Sequence, residues 1–186
     1  MRPIAEKYFN DYKMEEVVKE NGKGTKKVLK YYGDYYIHDM KDKKWKTQKI
    51  LFFINVLLVI ILYFFSITIK TESSYINYVS APPLLFIIPL ILLIMGSFKN
   101  IINKRKMSKN EYNESILFLK IGSIIGIISI TLSIILKIIF ITKHNNLLTN
   151  SSEITVLLLN LIILSLLITM IIYLYKIKFI KESSKC

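Results

Sequence analysis

Apolar residues in this chain gather into four nearly unbroken runs, at 50–69, 78–98, 116–141 and 154–175, separated by short polar stretches. Each run is about as long as the roughly 20 helical residues needed to cross ~30 Å of hydrocarbon. Water cannot satisfy backbone polar groups inside a bilayer, so such runs are expected as helices rather than open strands. The predicted fold is therefore all-α and membrane-embedded: a four-helix transmembrane bundle with a small head at its amino end.

The head, residues 1–48, has a different pattern. Ile4, Tyr8, Phe9 and Tyr12 recur at helical spacing behind Pro3, which predicts a short amphipathic helix. Two short runs, 15–20 and 25–32, flank Asn21-Gly22-Lys23-Gly24, a sequence suited to a tight hairpin turn. Gly33-Asp34 marks a second turn before Tyr35, Tyr36 and Ile37, so a two- or three-stranded meander is expected. The membrane domain then occupies 49–176 and a short tail 177–186. The first apolar run begins too far along the chain for a cleavable signal peptide, and is expected to act as an uncleaved signal anchor.

Charge sharpens this picture into a topology. The net charge of +13 would suggest nucleic acid in a soluble protein. Here it is concentrated at 1–49 (+5), 99–114 (+3) and the tail from Lys176 (+3), whereas the connections around Lys70 and Lys143 are neutral. Lysine-rich short loops remain cytoplasmic, so both termini and the central loop are expected inside a plasma-membrane protein that crosses four times. Lys43, Lys44 and Lys46, with Lys41 and Lys49, would also be drawn to anionic lipid head groups. Tyr31, Tyr32, Tyr35, Tyr36 and Trp45 suit the membrane interface, where a ring buries its body and wets its polar edge. The alternative is that these tyrosines pack on one another. Two arginines against 24 lysines suggest an AT-rich genome, such as that of a low-GC bacterium. The single cysteine, Cys186, excludes an intramolecular disulfide.

Within the runs, a few residues carry packing or chemistry. Gly122, Gly126, Ser129 and Ser133 form one stripe on the third helix, where missing side chains let another helix approach closely. That stripe fits either an intramolecular seam or a homodimer. Asn160 lies well inside the fourth run and is expected to face another helix, as is Asn55 in the first. Pro82 and Pro83 suit the start of the second helix, and Pro89 should kink it.

No acidic residue falls in the four runs as bounded above, which argues against transport coupled through an embedded carboxylate. Lys120 and Lys137 sit within a turn or so of the run ends and are expected to snorkel toward head groups. A sharper reading continues the stripe from Ser133 to Lys137 and lines a polar seam with Asn160. His38 and His144 fall on opposite sides of the membrane, and no thiol, His-Glu-x-x-His or phosphate-loop pattern is present, so neither catalysis nor a metal or cofactor is expected.

Two functions follow as expectations. The first is a non-catalytic interaction or accessory subunit of a membrane assembly, immunity-like or transporter-associated, whose partners are anionic lipid and a membrane protein or second copy. The second is a small transporter or channel with a pathway between the second, third and fourth helices past Pro89, Lys137 and Asn160.

Overall fold

The computed structural model describes residues 12–18, 24–143 and 151–182. The amphipathic segment anticipated near Ile4, the Asn21-Gly22 turn, His144 and Cys186 lie outside these residues. Among the described residues, four helices are long and apolar enough to cross a membrane. Span 1 is α1 (Asp42–Thr68). Span 2 is α2 (Asn77–Leu85) followed by α3 (Ile87–Ile102). Span 3 runs from α4 (Lys109–Tyr112) through a wide π turn at Asn113–Leu117 into α5 (Phe118–Lys143). Span 4 is α6 (Ser151–Lys176).

All four helices are longer than their apolar runs and reach into polar sequence. Ser108 and Glu111 form a reciprocal capping box that starts α4 several residues before the apolar run. The Glu111 carboxylate accepts from the Ser108 backbone N–H at 2.8 Å. At the end of α3, the Lys49 ammonium donates to the carbonyls of Ile101 and Asn103. A cation there complements the negative end of the helix dipole.

Span 2 is interrupted at Phe86, where Pro89 would have closed a bond to the carbonyl of Leu85. Neighbouring helices supply hydroxyls at this break. Tyr63 of α1 donates to the carbonyl of Pro83, and Ser129 of α5 to that of Pro82, both at 2.8 Å. Side chains from adjacent helices thus reinforce the proline-weakened backbone, the condition under which such breaks are tolerated in lipid.

The strands depart from the expected meander. Strands β1 (Tyr12–Val18) and β2 (Thr25–Tyr31) form an antiparallel hairpin. Gly24, at φ 89°, enters β2 in a conformation that favours glycine. The third strand, β3 (Tyr35–His38), does not join them. It lies between β4 (Lys106–Ser108) and β5 (Phe179–Glu182), antiparallel to both.

Tyr36 thus stands opposite Met107 and Lys181. The start of span 1, the connection between spans 2 and 3, and the end of span 4 are therefore joined on one side of the bundle. That shared side is called the sheet side below.

Beneath this sheet, His38 stacks on Trp45 at 4.4 Å, and Met107 and Ile177 are buried. Phe179 meets the edges of Trp45 and Tyr112. Through the bundle, the core continues as Phe52, Val56, Val59, Leu93, Leu119, Ile163 and Leu167. Large apolar side chains such as Ile61, Phe64, Ile88, Ile128 and Leu158 cover the outer surface. An apolar exterior on this scale is what hydrocarbon surroundings favour and water does not.

Candidate functional site

At the end of the bundle opposite the sheet, spans 3 and 4 bring polar side chains into the interior. Ser133 and Lys137 are one turn apart on α5, while Glu153, Val156 and Asn160 follow one face of α6. Helical spacing of three and four places each set on a single face. The Lys137 ammonium donates to Glu153 Oε2 at 2.9 Å, and the two side chains are 5% and 0% exposed. The Asn160 amide donates to Ser133 Oγ at 3.4 Å.

The connection between spans 1 and 2 completes the site. A short 3-10 turn at Glu72–Tyr75 presents Ser73, whose backbone N–H and hydroxyl both donate to the Glu153 carboxylate, at 2.9 and 2.7 Å. Because a serine hydroxyl has one proton to give, the 3.1 Å contact with Thr71 is one in which Ser73 accepts. Glu153 also occupies the first turn of α6, where the helix dipole favours negative charge. Three donors and a dipole thus converge on one buried carboxylate. Its desolvation, several kcal/mol for an isolated ion, is offset only when geometry of this kind is complete.

Two expectations change here. Lys137 does not snorkel outward; it turns inward to Glu153. The fourth helix begins at Ser151, so Glu153, which reads as a loop residue in sequence, is a buried carboxylate within it. The membrane domain therefore does hold an embedded carboxylate, contrary to the expectation that none lies in the spans. The available signal was the spacing of Glu153, Val156 and Asn160, which continues the Asn160 face outward to meet the Ser133 and Lys137 face.

A partly open cavity of about 290 Å³ adjoins this cluster, lined by Ser133, Lys137, Asn160 and the end of span 1. Pro89 is not among its lining residues. Pro89 is buried lower in the bundle against the stripe: a Cβ placed on Gly122 would lie 3.1 Å from the Pro89 carbonyl oxygen and the same distance from Leu93. A Cβ on Gly126 would meet Phe86 at 3.0 Å and Leu167 at 3.2 Å. The stripe therefore packs spans 2 and 4 against span 3 within one chain. Gly96, which the sequence pattern did not single out, makes a tighter approach still, 2.9 Å from the Ser115 carbonyl oxygen in the π turn.

The residues expected at the lipid interface separate. Trp45 is only 3% exposed and belongs to the core beneath the sheet. Tyr36 stacks on Tyr112 at 4.4 Å, and Tyr31 meets the edges of Tyr12 and Tyr35. Lys43, Lys44 and Lys46 are exposed on the first turns of α1. Lys120 rests over the ring of Tyr175 at 5.0 Å. Asn55 faces span 4, donating to the Leu166 carbonyl at 3.4 Å.

His38 is a titratable group on the sheet side that sequence reading left without a role. Burial holds its pKa below the usual imidazole value, and the nearby Arg105 guanidinium acts in the same direction. Among the described residues, no group of three or more histidine, cysteine or acidic side chains is arranged to hold a metal. No protein-family model, curated protein or solved structure matches this chain.

Proposed function

We propose that this chain is a non-catalytic, four-span membrane protein that works by association, as an accessory or immunity-like subunit whose sheet side faces the cytoplasm. The observation that carries this reading is the filled seam below the polar cavity. Phe86, Leu93, Leu119, Ile130, Ile163 and Leu167 are essentially inaccessible and occupy the space between spans 2, 3 and 4. Conduction along that seam would require these side chains to move aside together, against close packing. On the sheet side, β3, β4 and β5 further tie the helix ends to one another.

The β1–β2 hairpin supplies a surface for association. Met14 pairs with Leu29 across it, on the same face as Val18. These residues are 70%, 53% and 66% exposed, respectively. An isolated two-stranded hairpin is marginal in water, and docking on a partner protein at the same membrane would cover Met14, Leu29 and Val18, which flank the Glu16–Lys27 ion pair on that face. Basic charge around α1 keeps this side near anionic lipid.

The test compares the full chain with a Met14→Lys/Leu29→Lys variant, each extracted from its native membrane in mild detergent and weighed by native mass spectrometry. A defined protein partner retained by the wild type and lost by the variant supports the reading. A partner-free monomer in both cases contradicts it. So does ion or proton flux through liposomes that Asn160→Leu abolishes without unfolding the protein.

A further inference from the structure

We propose that the cavity beside Lys137 binds the head of a neutral, single-chain amphiphile drawn from the surrounding lipid, with a glycerol ester of the monoacylglycerol type as the fitting chemistry. This inference goes beyond the association reading and is independent of it. It rests on three features: where the cavity lies, which hydrogen-bond donors it offers, and its net charge.

Part of the cavity's lining reaches the apolar exterior. Ile67, near the end of span 1, and Leu84, in the first part of span 2, both line the cavity and are 47% and 57% exposed on the apolar exterior. Ser74, an exposed residue of the polar connection between spans 1 and 2, also lines the cavity, which thus lies where apolar and polar surfaces meet, a position that suits an amphiphile. At about 290 Å³, the volume is at the small end of ligand pockets. It accommodates a polar head and its first carbons, leaving the chain to lie along the exterior by Ile67 and Leu84.

The polar wall offers donors. One of the three ammonium protons of Lys137 is directed to Glu153. One of the two amide protons of Asn160 is directed to Ser133 Oγ, whose own proton remains available to turn into the cavity. Side chains from two helices can thus present N–H and O–H groups to oxygen acceptors, such as an ester carbonyl or a hydroxyl.

Charge then selects among amphiphiles. Lys137 is already neutralised by Glu153, so the wall has donors but no uncompensated charge. Glu153 does not itself line the cavity, so a carboxylate or phosphate would meet the Lys137 end of a pair that is already neutral and would keep no counter-charge of its own, while an alkylammonium would oppose Lys137 directly. Both would be held in a poorly solvating environment where uncompensated charge is costly. A neutral ester or alcohol incurs neither penalty.

The full chain, reconstituted in phosphatidylcholine nanodiscs so that no neutral single-chain detergent competes, is offered 1-monooleoylglycerol, oleate or oleylamine at equal concentration. Bound mass is read by native mass spectrometry and the unfolding midpoint by circular dichroism. One monooleoylglycerol per chain, with a raised midpoint and at least tenfold weaker retention of the other two, is expected. Leu84→Trp, which enlarges a lining side chain without touching the ion pair, should abolish that retention, and Asn160→Leu should weaken it if the variant folds. Equal retention of all three amphiphiles, retention of none, or undiminished monooleoylglycerol binding by folded Leu84→Trp overturns the proposal.

Discussion

Replacing Glu153 with glutamine tests the buried ion pair with little change in shape. The amide oxygen can still accept from Ser73, but the Lys137 ammonium, 5% exposed, loses its counter-charge. Breaking a buried pair by removing one partner costs about 3–5 kcal/mol, because the surviving charge stays desolvated. Lys137→Met removes the other member and leaves Glu153 held by the two Ser73 donors, at 2.9 and 2.7 Å. Hydrogen bonds to a charged group contribute about 1.5–3 kcal/mol each, so this variant should be the milder one. With neither charge present, the double variant should be less destabilised than the sum of the singles, by a coupling of roughly 1.5–3 kcal/mol. Reversible unfolding in mixed micelles, followed by circular dichroism across the four-variant cycle, measures this directly. If Glu153→Gln falls within ~0.5 kcal/mol of the wild type and the two changes simply add, Lys137 and Glu153 do not form the buried pair described here.

Other outcomes follow from the same physical chemistry. Gly96→Ala should destabilise by about 1–3 kcal/mol and more than Gly126→Ala, since its new methyl meets the Ser115 carbonyl rather than movable side-chain carbons; unfolding midpoints of the two variants give the order. His38 has a folded-state pKa below its unfolded value of 6.5. Stability should therefore be flat above about pH 6.5 and decline as pH falls below it, levelling off once the folded form also protonates. Trp45, the single tryptophan, stacks on His38, so its emission should titrate with a midpoint below 6.5 and cease to do so in His38→Phe. The exposed pair Lys106 and Glu182, at 2.5 Å, should matter little: Lys106→Ala is expected to change stability by less than ~1 kcal/mol.

The parts of this fold that depend on counting along the chain were legible in its sequence. A greasy run long enough to cross a bilayer is a one-dimensional property, and all four appear as helices. The break at Phe86 follows from Pro89, and the place of Asn160 against Ser133 from the cost of a lone amide in hydrocarbon. What sequence reading missed was set by pairing at long range. Lys106, Met107 and Ser108 are too few to announce a strand, and their partner β3 lies about seventy positions earlier. Trp45 resembles an interfacial anchor until that sheet closes over it. Glu153 follows two serines and looks like loop until the helix is seen to begin at Ser151. The capping box at Ser108 and Glu111 was a local signal open to sequence reading, and it places the start of span 3 correctly.

Topology is the premise on which the sheet, the polar cluster and the association surface all depend. Single cysteines at Arg105, Lys41 and Glu72, in a chain with Cys186 replaced by serine, can be probed with a membrane-impermeant thiol reagent in intact and permeabilised cells. Labelling of Glu72→Cys in intact cells, with Lys41→Cys and Arg105→Cys reacting only after permeabilisation, is the expected result. Labelling of Arg105→Cys in intact cells while Lys41→Cys stays protected would place β4 and β3 on opposite sides of the bilayer and contradict the shared sheet.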